Sequence, residues 1–195
     1  MDFLLYMFRM YPDIIQTLIH GCLFVGISLL CFHAVWTCFQ AYRHIRRVSF
    51  DVIRSETKKE SSTDDPLMVL VAKTYYSAHA QHDGTNYPKS FLADATFQLI
   101  ENVFHHRYIN KITMTTNLLP PTGLFGTVFG MIMIFLASDD PNSTLNTHGL
   151  GSALFITLIT MASFIILETV KKNIINLSEI RIDRALGMAS KIITK

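Results

Sequence analysis

Ile112–Ser138 reads ITMTTNLLPPTGLFGTVFGMIMIFLAS and contains no Asp, Glu, Lys or Arg. A helix needs about 20 mostly apolar residues to cross a hydrocarbon core about 30 Å thick. This stretch is long enough. Two further windows share its freedom from charge, Ile14–Tyr42 and Pro141–Leu167. A soluble bundle places charges on the solvent face of each helix. Three charge-free windows in 195 residues therefore argue for a membrane protein. The expected fold is all-α, with three transmembrane helices and helical cytoplasmic extensions.

The flanking charges orient the spans. Arg43, Arg46 and Arg47 follow the first window, Arg107 and Lys111 precede the second, and Lys171 and Lys172 follow the third. Basic residues collect on the cytoplasmic side. The stretch DDPNSTLNTH at 139–148 has neither Lys nor Arg and belongs outside. The chain then divides into a periplasmic or interfacial segment (1–13), a first span (14–42) and a cytoplasmic helical region (43–111). A second span (112–138), a periplasmic hairpin (139–148), a third span (149–168) and a cytoplasmic C-terminal helix (169–195) complete it. The N-terminus lacks the basic start and small-residue cleavage site of a secretory signal, so the first window is expected to remain as an anchor.

Within the cytoplasmic region, Arg54–Asp65 (RSETKKESSTDD) has the composition of a linker. Pro66–Ala80 is apolar enough for a short helix, and Gln81–Lys89 is a turn region. Ser90 is expected to cap a helix that begins at Phe91. Phe91, Ala95, Leu99, Val103 and Phe104 would form its apolar face, and the helix would continue into the second span.

Several function classes are disfavoured. The net charge is +2, and no Lys/Arg stripe is interleaved with aromatics, so no nucleic-acid partner is expected. Cys22, Cys31 and Cys38 fit no zinc spacing and read as small apolar residues. His79 with His82, and His105 with His106, lack a Cys or carboxylate cluster to complete a metal site. No Ser/His, Asp/Asp or His/Glu set lies at one depth in the spans. No enzymatic activity, catalytic residue, metal or cofactor is expected.

The chemistry that remains is polar but uncharged. Pro120 and Pro121 remove intrahelical hydrogen bonds and would kink the second span. Such a kink is tolerated in a membrane where neighbouring helices satisfy the freed carbonyls. Gly123, Gly126 and Gly130 follow, the last two four residues apart, a spacing that lets membrane helices approach closely. The third span carries Ser152, Thr157, Thr160 and Ser163. Such hydroxyls either bond back to their own helix or line a narrow wet path. A proton path also needs a group that titrates. No carboxylate lies near the middle of any span, so a second chain would have to supply the acid.

The run NLLPPTGLFGTVFGM, Asn117–Met131, resembles the second-span signature of the TolQ and ExbB proteins, within the MotA/TolQ/ExbB proton channel family. GLGSALFIT, Gly149–Thr157, is similar to the start of that family's third span. The resemblance covers about Phe91–Asn173. It implies that Thr127 and Thr157 are the family's two pore threonines; Thr160, from the hydroxyl stripe of the third span, and Ser152 are expected on the same proton pathway. TolQ and ExbB carry a glutamate where this chain has Ser152; the flagellar MotA branch also lacks that acid. The resemblance further implies a bacterial inner-membrane protein with a periplasmic N-terminus and a cytoplasmic C-terminus. Its implied assembly is a ring-forming homopentamer around a dimer of a single-span TolR/ExbD/MotB-like subunit carrying a membrane Asp. The ring would act as a stator, driven by protons and coupling the proton motive force to mechanical work. A non-conducting membrane scaffold that presents cytoplasmic helices to a partner is the alternative.

Overall fold

Inward-facing residues recur every three or four positions along each long helix, and they are mostly small or aliphatic. The computed structural model describes residues 12–56, 65–81, 88–136 and 144–193. Among these residues the chain is helical, with no strand. The elements are α1 (Pro12–His44), α2 (Phe50–Glu56), α3 (Leu67–Gln81), α4 (Lys89–Phe104), a π-helical turn (His105–Ile109), α5 (Asn110–Leu136) and α6 (Thr144–Ile193).

The elements form two units. The first holds α1 as far as Val35, α5 from Thr113, and α6 as far as Thr169. Its core is thin. Ile27 and Ala34 of α1, Leu119 of α5, and Ile156 and Leu167 of α6 are buried, with Leu23, Leu30 and Cys31 packed against them. Its outward residues are strongly apolar: Leu29, Phe32, Leu124, Phe125, Phe135, Leu154 and Leu158 are all exposed. Phe135 is 79% and Leu158 68% exposed. A surface of this kind is unstable in water and natural in lipid or against other apolar helices.

The second unit holds α1 from Trp36, α2 to α4, the π turn, the start of α5 and α6 from Val170. Its core is larger and includes Ile45, Ile53, Leu67, Met68, Val71, Ile112 and Ile182. Its surface carries charge, with Arg46, Asp51, Arg54, Asp94, Asp183 and Lys191 exposed. Lys73 is buried, only 5% exposed, and donates to Asp65 Oδ2 at 2.7 Å. Burying an ammonium group is costly unless a carboxylate pairs with it, and Asp65 supplies that partner.

Several expectations change. Among the described residues two helices, not three, are long and apolar enough to cross a membrane: Thr17–His44 and Ala153–Ile193. The second expected span, in α5, is not one of these two; it carries no charged residue from Ile112 onward and holds Thr113, Thr115, Thr116, Asn117 and the two prolines in its first half. The third span and the C-terminal helix are one helix of 50 residues. At 1.5 Å per residue it reaches about 75 Å, far beyond a hydrocarbon core of about 30 Å. The hairpin expected at 139–148 lies outside the described residues as far as 143, and its remainder is helical because α6 starts at Thr144. The N-terminal segment 1–13 likewise falls almost wholly outside them.

Ser90 is not the cap of α4. The helix begins at Lys89, two residues earlier than expected, after Pro88, whose extended backbone (φ −58°, ψ 136°) ends the non-helical chain and whose carbonyl accepts from Phe91 N–H at 2.9 Å. The buried face of α4 is Leu92, Thr96, Ile100 and Phe104, while Phe91, Leu99 and Val103 are exposed. Only Phe104 of the expected face is inside. Two i, i+4 stripes are available on this helix, and the one containing Thr96 is buried; its hydroxyl donates to Leu92 O at 2.7 Å, so burial leaves it paired. The linker expected at 54–65 is helical to Glu56; 57–64 lie outside the described residues. The expected continuation of α4 into α5 holds, with the π turn inserted between them.

Candidate ion-pathway site

The glycines of α5 decide how closely α6 can lie. Gly123, Gly126 and Gly130 are all buried. A Cβ at Gly123 would overlap the Thr160 hydroxyl and stand 3.4 Å from Thr157 Cα. A Cβ at Gly126 would stand 3.0 Å from Ile156 Cγ2 and 3.7 Å from Leu23 Cδ1. Only glycine admits backbone this close, and the approach brings two polar helix faces together.

Thr127 and Thr157 meet there, with their Oγ1 atoms 3.0 Å apart. Thr157 Oγ1 donates across the seam to Gly123 O at 2.9 Å, with Ala153 O on its own helix at 3.3 Å. Thr127 Oγ1 has Gly123 O at 3.0 Å and Leu124 O at 3.1 Å. Both side chains are half-buried. The pair therefore holds two hydroxyl protons, several backbone acceptors and spare lone pairs, with no charge of its own.

The other expected pathway residues are placed differently. Thr160 is fully buried; its hydroxyl packs on Gly123 and donates to Ile156 O (3.1 Å) and Thr157 O (2.9 Å). Within the single chain it faces the helix seam. The backbone of Ser152 lies in α6, and its side chain is outside the described residues. Pro120 and Pro121 sit inside α5, where regular hydrogen bonding would have ended on the Thr116 and Asn117 carbonyls.

Two further polar contacts correspond to no sequence expectation. Thr115 is buried, and its Oγ1 lies 3.5 Å from Nδ1 of His33 on α1. The signal was present in the seven-residue spacing of the inward face of α5, which runs 112, 119, 126 with Thr115 and Thr116 between. The Lys73–Asp65 pair had no comparable signal, because Asp65 closes a polar run that reads as linker.

Residues 77–184 match the MotA/TolQ/ExbB proton channel family. The matched stretch takes in α4, α5 and most of α6, including Thr127 and Thr157. No curated protein and no solved structure matches the chain. The family match covers more than half of the sequence and coincides with the run whose glycines set the seam, so the chain belongs to the MotA/TolQ/ExbB proton channel family.

Proposed function

We propose that this chain is a proton-channel stator subunit that couples the proton motive force to mechanical work through a single-span partner. Proton-channel function follows from the family, whose members generally work with a TolR/ExbD/MotB-type subunit in the membrane. The observation that carries the finer reading is the Thr127–Thr157 pair, 3.0 Å apart. Its two protons can point to the Gly123, Leu124 and Ala153 carbonyls, leaving lone pairs outward to accept from a protonated carboxylic acid. Rotated the other way, the same hydroxyls donate to a carboxylate. One site then serves both states of an aspartate brought by the partner. Each charge moved across the field is worth about 2.3 kcal/mol per 100 mV, which such a cycle can use.

The remainder of the reading follows. α5 is the third crossing, in keeping with the charge-free run Ile112–Ser138 and the exposure of Leu124, Phe125, Ile132 and Phe135. The protein is a multi-pass component of the bacterial inner membrane, N-terminus periplasmic and C-terminus cytoplasmic. Five copies surround a partner dimer, and the exposed stripe Phe91, Leu99 and Val103 on the otherwise charged unit suits contact with a neighbouring copy.

A non-conducting scaffold is the second reading. It is favoured by the Thr160 hydroxyl, which is spent on its own helix and walled in. Proton flux into liposomes containing the chain and its partner separates the two. Flux is expected with the pair and should fall at least about tenfold, the effect of roughly 1.4 kcal/mol, in Thr127→Val and Thr157→Val while the complex still co-purifies. Undiminished flux in both variants removes the pair from the pathway; no flux in any form leaves the scaffold.

A further inference from the structure

We propose that a cleft of 530 Å³ beside the end of α1 binds the phosphate of an anionic lipid headgroup. The inference rests on the membrane placement given above, and it concerns a different place from the threonine pair. Gln40, Arg43, His44 and Arg46 from α1 and the residues following it line the cleft, together with Arg107 and Tyr108 from the π turn. No Asp or Glu is among the described residues lining it. Guanidinium groups bind phosphate oxygens through a planar fork of donors. Three of them share one cleft.

The opposing effect is smaller. α1 ends at His44, and the carbonyls of a helix C-terminus carry about half a negative charge. Three guanidinium charges exceed it several-fold. The wall is also built, not merely charged. Tyr108 is buried, its ring centroid lies 5.6 Å from that of His44, and the Arg107 guanidinium carbon stands 5.5 Å from the same ring. Arg107 and Tyr108 both lie within the π turn, His105–Ile109.

The aromatics of α1 favour a lipid over a soluble phosphate. Trp36, Phe39 and Tyr42 are exposed on the helix just before Arg43. Trp and Tyr concentrate at headgroup depth, and basic pockets on the cytoplasmic side accept anionic headgroups. Each cation near such a surface contributes about fivefold in affinity.

The test is native mass spectrometry of the full chain in detergent, titrated with phosphatidylglycerol or phosphatidylcholine. Phosphatidylglycerol should be retained at least about tenfold better, as expected for more than one cation. Arg43→Gln, Arg46→Gln and Arg107→Gln should each lower retention about fivefold. Arg54→Gln, an exposed cation that does not line the cleft, should change nothing, and Arg46→Lys should keep part of the preference. Thermal unfolding of each variant identifies any that fails to fold; for such a site the Lys variant carries the comparison. Equal retention of the two lipids overturns the proposal. So does an Arg54→Gln loss equal to that of Arg46→Gln, which would mean diffuse surface charge. Displacement of phosphatidylglycerol by millimolar inorganic phosphate would assign the cleft to a soluble anion and equally end the lipid reading. Proton flux is unaffected by which of these holds, so this proposal and the channel reading fail separately.

Discussion

The two units bury and expose opposite things. Among the described residues the charged unit packs twenty buried apolar side chains into one cluster, and the apolar unit packs five. Removing apolar surface from water can therefore organise the first of them. It cannot organise a unit whose outer face is Phe32, Leu124, Phe135 and Leu158, because lipid is as apolar as the residues themselves. There the helices hold by close contact and by hydroxyl-to-carbonyl bonds, at Gly123, Gly126, Thr127 and Thr157. One chain thus carries two solutions to helix packing, and each should fail under different substitutions.

Truncating a buried side chain should give the largest effect, and only in the charged unit. Ile182 is completely buried, so Ile182→Ala should cost about 2–5 kcal/mol in unfolding experiments on the purified protein. Leu158→Ala, at a site 68% exposed in the apolar unit, should leave unfolding nearly unchanged. A comparable loss at both sites would mean that Leu158 is covered by another chain.

Adding a charge should reverse the ranking. Leu158→Arg places a guanidinium on the apolar face, where a central arginine opposes membrane insertion by about 3 kcal/mol. Glycosylation mapping of insertion should show a clear drop in the inserted fraction. Ile180→Arg, on the exposed face of the charged unit, should insert and fold normally, within about 0.5 kcal/mol. Normal insertion of Leu158→Arg would place that residue against water or a polar partner, and the contrast between the units would lose its basis.

The parts visible in the sequence were those with long-range regularity. Charge-free windows mark α1 and α6 as candidate spans, and the runs Asn117–Met131 and Gly149–Thr157 single out Thr127 and Thr157, which meet in the structure. Local choices were less legible. On α4 the stripes beginning at Phe91 and Leu92 have the same spacing, and apolarity pointed to the wrong one, since a buried threonine can satisfy itself. In α5 the proline pair is visible as an irregular point of the second expected span, but which of its threonines turn inward is not, since Thr115 and Thr116 are buried while Thr113 and Thr122 are only partly so. The basic cleft is not legible in the sequence, where Arg43, Arg46 and Arg107 read only as topology signals; the fold alone sets Arg107 beside the end of α1.

Glycine substitutions give the smallest effects and the finest resolution. Every helical glycine replaced by alanine gains about 0.5–1 kcal/mol from reduced backbone freedom. Whether that gain survives depends on the space for one Cβ. At Gly26 nothing lies within 4 Å, so Gly26→Ala should raise the unfolding temperature slightly. At Gly126 the new carbon meets Ile156 Cγ2 at 3.0 Å, a branched side chain that can yield little, and the gain should be cancelled or narrowly reversed. At Gly123 it meets the Thr160 hydroxyl, which cannot move outward because Thr160 is fully buried and already bonded to Ile156 O and Thr157 O. Gly123→Ala should cost about 1–3 kcal/mol as overpacking and should also weaken the Thr157 bond to Gly123 O. Gly123→Ala with Thr160→Ala removes the hydroxyl overlap and leaves the Cβ of residue 160 at 3.1 Å, so the double variant should recover part of the loss. If it does not, the close approach of α5 and α6 is not what holds the apolar unit together. If Gly26→Ala proves as damaging as Gly123→Ala, the open face of α1 is closed by a helix from another chain.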